Sequence, residues 1–162
     1  MKKTIQITEE AVLKAHKEAG TKGKSLLENL FENTVFKKDI KERIKTLDDA
    51  INVLGSDDVD VKNYRDMVSG GLQNHIIGNQ ELVIITKALN EGWMPDWHNG
   101  EWDIWMNWFN MSSSSSGRFS FFCSVLQRSY SCCGSRLCFK SEELAQYAAK
   151  QFINTYKKAY TI

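Results

Sequence analysis

Aromatic and thiol side chains are concentrated in one stretch of the chain, from Trp93 to Lys140. All five tryptophans lie between Trp93 and Trp108, and no Asp or Glu occurs between Ile104 and Ser141. Aromatic rings stack on nucleic-acid bases and form hot spots of protein interfaces, while arginine and lysine bind phosphates or acidic surfaces. These residue types predict binding chemistry in this stretch.

An alternation of period two places many of these residues on one face of a predicted sheet. One row of side chains is expected to face a terminal helix: Trp102, Ile104, Met106, Trp108, Phe119, Phe121, Cys123, Val125, Leu137 and Phe139. The opposite row is the predicted binding face: Trp105, Phe109, Arg118, Phe122, Arg128, Arg136 and Lys140. Such a face fits a host protein with an anionic surface, or single-stranded nucleic acid.

Two further interpretations of the same aromatic residues stay open. Trp105, Phe109 and Phe122 could form a second core against N-terminal helices, which also need a surface on which to bury their apolar stripes. The tryptophans could instead line a sugar-binding platform, although no suitable pair of carboxylates accompanies them. The first alternative would leave no exposed face.

Catalytic and metal-binding patterns are weak in this sequence. Cys132, Cys133 and Cys138 lack the paired spacing of a zinc ribbon, and no phosphate-binding glycine loop is present. A nucleophilic pair such as Cys123 or Cys138 with His98 is the remaining enzymatic alternative, without a supporting motif. We therefore predict no catalytic residues, no metal and no cofactor.

Helical spacing dominates the chain before Pro95. Cap residues and apolar stripes predict helices that start after Thr8, at Thr21, at Thr46, at Val59 and at Gln80. For the last of these, Gln80–Asn90, the β-branched run leaves a strand as the alternative. The lysine-rich run between Lys37 and Lys45 is expected to be a solvated connection.

Three strands and a last helix capped by Ser141 are expected after Pro95, with the serine run from Ser112 to Ser116 as a hairpin loop. The predicted class is α+β: an N-terminal helical region, residues 1–92, packed with a small three-stranded antiparallel sheet and a C-terminal helix, residues 93–162. The two regions could also form one compact domain.

The whole-chain composition is that of an ordinary soluble protein. The 162 residues carry a formal net charge of +1, so no global attraction to nucleic acid or membrane is expected. No secretory signal or membrane span is recognisable, which predicts a cytoplasmic protein with reduced cysteines and no membrane partner.

Several segments resemble those of uncharacterised small proteins of Bacteroides phages and mobile elements. The similarity covers Thr4–Thr8, Ser25–Phe31, Lys45–Ala50, Ala88–Trp93 and, most specifically, GSRLCFKSEELAQYAAKQF from Gly134 to Phe152. The resemblance implies an accessory protein that acts inside a bacterial host by binding a host factor or nucleic acid, with a virion component as a further alternative.

Overall fold

A computed structural model of the chain describes residues 7–36, 39–96, 98, 103–111, 119–128 and 135–161. In this part of the chain the fold is α+β, with eight α-helices and one two-stranded antiparallel sheet. The predicted class is confirmed. The chain divides into two compact units, Met1–Asp39 and Ile40–Ile162. The residues on either side of position 92, where a boundary was expected, belong to the same unit.

The first unit, Met1–Asp39, contains helices α1 (Glu9–Glu18) and α2 (Thr21–Phe36). Thr8 caps α1 as predicted, because its hydroxyl accepts a hydrogen bond from the Ala11 amide. The His16 ring stacks on Phe36 with centroids 4.3 Å apart, and its Nε2 lies 2.8 Å from a Glu28 carboxylate oxygen. These contacts join α1 to α2, so His16 has a packing role in this unit.

Four helices open the second unit: α3 (Ile40–Arg43), α4 (Leu47–Leu54), α5 (Val59–Ser69) and α6 (Asn74–Leu89). The start of α4 follows the prediction, since Thr46 and Asp49 form a reciprocal capping box. Helix α3 replaces part of the solvated connection expected between Lys37 and Lys45. It forms there because Ile40 and Ile44 are buried in the main core.

Helix α6 is the central element of the second unit. Its residues Ile84, Ile85 and Leu89 lie in the main core cluster, which also receives side chains from α4 and α5. Leu82, on another side of α6, packs with Tyr156 in a second cluster. A helix covered on several sides needs apolar residues around most of its circumference, which is the composition found.

Gly78 lies inside α6, which begins at Asn74 and not at the predicted start, Gln80. A β-carbon at this position would lie 3.0 Å from the backbone nitrogen of Ala159 and 3.1 Å from its α-carbon. The glycine therefore allows two helices to approach closely. Inside a helix it is a packing residue, although in sequence it resembles a loop residue.

The sheet is a hairpin of β1 (Asp103–Asn110) and β2 (Ser120–Arg128). Its register is interrupted between Trp108 and Phe109, because Trp108 pairs with Cys123 while Phe109 pairs with Phe121. Phe122 is the additional residue of a β-bulge. The serine run expected as the hairpin loop lies outside the described residues.

The predicted third strand is wrong. Of the described residues after Ser135, Phe139 alone pairs with β1, by exchanging two backbone hydrogen bonds with Trp105 at 3.0 and 2.9 Å. A 3-10 helix (Ser135–Leu137) precedes Phe139 closely, and Ser141 already caps the next helix. The chain therefore has room for a single bridging residue between these two elements.

Asn90 completes the hydrogen bonding of this short segment. Its side-chain amide donates to the Cys138 carbonyl at 2.8 Å, and its side-chain oxygen accepts from the Lys140 amide at 3.2 Å. These are the backbone groups that point away from β1. The buried Asn90 side chain thus takes the place that another strand would occupy.

The predicted C-terminal helix is divided into α7 (Glu142–Gln151) and α8 (Ile153–Tyr160). The break falls at Phe152, whose buried ring belongs to the main core. Side chains of α7 also bind the carbonyls at the end of α3. The Tyr147 hydroxyl lies 2.6 Å from the Ile44 oxygen, and the Gln151 amide donates to the Lys45 carbonyl at 2.8 Å.

In the ranges described, every helix is too short or too polar to cross a bilayer.

Replacing Gly78 with alanine is expected to lower the free energy of unfolding by about 1–2 kcal/mol. The new methyl group would meet backbone atoms of Ala159, and the cost of overpacking exceeds the gain in helix propensity. Urea denaturation measures the change. Asn79→Ala on the exposed side of the same helix is the matched control, expected to stay within about 0.5 kcal/mol of the parent. A stabilised Gly78→Ala protein would contradict the close packing of α6 and α8.

Thr86→Val is expected to raise the free energy of unfolding by about 1 kcal/mol. Among the described residues, the Thr86 hydroxyl is the buried side-chain group without a hydrogen-bond partner, and an unsatisfied buried group costs about 1–3 kcal/mol. Thermal and urea denaturation test this. Thr86→Ser retains the hydroxyl but loses a methyl group, so it should destabilise; equal effects of both variants would rule out the desolvation argument.

Candidate functional site

Two aromatic residues of the predicted binding face are packed against helices. Trp105 is partly buried against the main core, to which both α6 and α7 contribute. The Phe109 ring lies 4.6 Å from that of Tyr156 and 4.8 Å from that of Phe119, measured between centroids. The expectation that this row of β1 points away from the terminal helices is therefore wrong.

Asn107 has the same orientation. It lies between Trp105 and Phe109 in the same row, and its side-chain amide donates to the Ala145 carbonyl of α7 at 2.9 Å. Its side-chain oxygen accepts from the Ser124 hydroxyl at 2.7 Å. A polar residue in the covered row is tolerated because both ends of its amide are bonded.

The other row of β1 is also covered at its start. Ile104 and Met106 are buried in a small cluster with Cys138, and Trp93 packs against them. Both rows of β1 are thus packed over this part of the strand. The prediction of one covered face and one open face is therefore wrong for this part of the strand.

Exposed apolar side chains occur at the loop end of the hairpin. Phe122, on the bulge, is 73% exposed; Met111 is 56% exposed and Trp108 is 50% exposed. The register places them together at this end, since Trp108 pairs with Cys123 and Asn110 pairs with Ser120. We call Trp108, Met111 and Phe122 the hairpin-end surface.

The basic residues of the predicted face lie at separate places and have acidic partners. Arg128 binds Asp103 through two nitrogens, at 2.7 and 3.3 Å. Lys140 Nζ lies 3.7 Å from a Glu91 carboxylate oxygen. Arg118 lies outside the described residues.

Arg136 belongs to a charged cluster that the sequence did not reveal. Its Nη1 lies 3.4 Å from the buried Asp60 carboxylate, which also binds Lys87 Nζ at 2.7 Å. Lys87 binds Asp58 at 2.7 Å as well. The cluster ties the start of α5 to α6, and its residues are too far apart in sequence for a spacing pattern to show it.

The pKa values of Lys87 and Asp58 are shifted by their neighbours in this cluster. Burial opposes ionisation of Lys87, but the hydrogen bonds and charges of Asp58 and Asp60 raise the pKa of Lys87 above its ordinary value. Burial likewise opposes ionisation of Asp58, yet the Lys87 ammonium and the Asp60 amide hold the pKa of Asp58 below its usual range. Lys87 and Asp58 are thus both stabilised in their charged forms, as expected for a structural ion pair.

The cysteine hypothesis loses one of its two candidates. Cys138 is fully buried, and this burial raises the pKa of its thiol to about 11. The thiol is therefore neutral near pH 7 and a poor nucleophile. His75 and His98 are both exposed. The structure brings neither of them into a hydrogen bond with Cys123 or Cys138 within its described ranges.

No group of three or more His, Cys, Asp and Glu side chains is arranged to hold a metal ion in the part of the chain that the structure describes. Cys132 and Cys133 lie outside it.

Comparison of the chain with protein-family models, curated proteins and solved structures returned no match.

Alkylation of Cys138 by iodoacetamide is expected to be at least about 100-fold slower in the folded protein than in guanidinium chloride. The thiolate reacts, and a pKa raised from 9.0 to about 11 lowers its fraction by two powers of ten, while burial also limits access. The measurement uses a variant that retains Cys138 alone, with Cys123, Cys132 and Cys133 changed to serine. Fast labelling in the folded state would show that the thiol is accessible and ionised.

Proposed function

We propose that this chain is a phage or mobile-element accessory protein that binds a host protein through the hairpin-end surface. The observation that carries the proposal is the exposure of Phe122 and Trp108 near the β-bulge. Aromatic side chains gain more from contact with a protein than most residue types, and they dominate interface hot spots. The resemblance to phage and mobile-element proteins makes a protein of the bacterial cytoplasm the expected partner.

The basic residues favour a protein partner over single-stranded nucleic acid. A nucleic-acid groove needs cations that are available along the backbone path. Arg128, Arg136 and Lys140 each lie beside a carboxylate of this chain, from Asp103, Asp60 and Glu91 respectively. Phosphates would have to compete with these ion pairs, whereas an apolar contact at the hairpin-end surface would not.

The Trp105 and Phe109 rings support this binding role indirectly. Because they pack on α7 and α8, they fix the hairpin on the helices. A rigid support lowers the entropy that a partner must overcome on binding. In the proposed function these two residues position the surface and do not touch the partner.

Changing Trp108 and Phe122 together to serine is expected to reduce recovery of the host partner at least about tenfold. Loss of two exposed hot-spot rings removes about 2 kcal/mol or more of binding free energy, and 1.4 kcal/mol corresponds to a factor of ten. Tagged parent and variant proteins would be used to capture partners from nuclease-treated lysate of a Bacteroides host. The captured protein would be quantified by mass spectrometry.

Val68→Ser is the matched control, because Val68 is an exposed apolar residue on α5. Circular dichroism should show parent-like folding for both variants, since the changed side chains are largely exposed. Equal capture by the parent and the double variant would remove the hairpin-end surface from the proposal. Recovery of nucleic acid alone, lost after nuclease or at moderate salt, would favour the nucleic-acid alternative.

A further inference from the structure

The backbone of β2 has one edge directed away from β1. Trp105 exchanges both of its backbone hydrogen bonds with Phe139, so its amide and carbonyl point away from β2. Backbone direction alternates along a strand, and the residues of β1 that bond β2 are therefore Ile104 and Met106. Their partners on β2 are Gln127 and Val125.

Ser124 and Leu126 consequently direct their amides and carbonyls toward the outer edge of β2. In the described part of the chain, no further strand pairs with this edge, and neither residue makes a backbone hydrogen bond to a loop. Leu126 is 37% exposed. Donors and acceptors with the spacing of a strand are thus available along the outer edge.

The sequence of β2 contains few of the features that usually protect an edge strand. Natural edges carry lysine, proline or inward-pointing charges, which oppose pairing with another chain. Ser120–Gln127 contains no charged residue and no proline. Its protective features, the bulge at Phe122 and the charged Arg128, lie toward opposite ends of the strand.

We propose that the partner adds an extended, largely apolar segment as an antiparallel strand along the outer edge of β2, next to Ser124 and Leu126. This inference rests on the proposed function and specifies how the partner binds. The Lys150 ammonium lies 5.7 Å from the centroid of the Phe121 ring, near the start of β2, and its side chain is exposed. An acidic residue at the corresponding end of the added segment would therefore be favoured.

A partner segment fits this edge better than a second copy of β2. The outer edge of β2 would pair with any extended backbone, but β2 contains no carboxylate that could approach Lys150. A segment of another protein can supply both the apolar side chains and the acid.

The test uses amide hydrogen exchange of the full chain, read by NMR, with a synthetic peptide as the probe. The peptide is an acetylated and amidated hexapeptide of alternating threonine and valine that ends in glutamate. We expect fast exchange at the Ser124 and Leu126 amides without peptide, slowed at least about tenfold at saturating peptide because the added strand bonds these groups. The Val125 amide, which faces β1, is the internal control and should exchange slowly throughout.

The same peptide N-methylated at every residue is the matched control, since it keeps the side chains but has no backbone N–H groups to donate to the ladder. Equal effects of the two peptides, or no change at Ser124 and Leu126, would overturn the inference. Slow exchange at both amides without peptide would also overturn it, and light scattering would then show whether a second copy covers the edge. The peptide experiment does not involve the host partner, so edge pairing and the hairpin-end surface can fail independently.

Discussion

The reciprocal hydrogen bonds between Trp105 and Phe139 hold the second unit together at the point where its parts meet. Phe139 is fully buried in the main core, and the residues beside it bond to Asn90 at the end of α6. One short segment thus connects the hairpin, α6 and the start of α7. Because its polar backbone groups are buried, each needs a partner, and loss of one connection would leave the others unsatisfied. The position of the hairpin on the helices depends on this segment.

Local signals in the sequence were sufficient for much of the helical structure. Thr8, Thr46 and Ser141 act as caps because the first turn of a helix has amides without intrahelical partners, and such caps are recognisable from a few residues. The two long strands followed from alternation of side chains. Gly78 and Phe139 were harder to interpret, since a close helix approach and a single bridge depend on distant parts of the chain.

The candidate site was less predictable than the fold, for two physical reasons. Alternation separates two rows of side chains but does not tell which row meets the helices. The row that does so here includes the polar Asn107, which donates a hydrogen bond to the Ala145 carbonyl of α7. No Asp or Glu occurs between Ile104 and Ser141, but this absence holds only along the sequence. In three dimensions, Asp60, Glu91 and Asp103 come close to the basic residues of that stretch. Pairing of charges from distant segments cannot be read from local composition.

The bulge in β2 accounts for the exposure of Phe122, although this residue is hydrophobic. In an unbroken ladder each residue of β2 would oppose one residue of β1, and alternation would assign Phe122 to one of the packed rows. The extra residue instead shifts the pairing by one position, so that Phe121 opposes Phe109 and Phe122 has no counterpart. Phe122 is thus exposed because β2 has one residue more than β1 at this position. A change in length near the bulge would therefore alter the surface of this protein more than most changes of side chain.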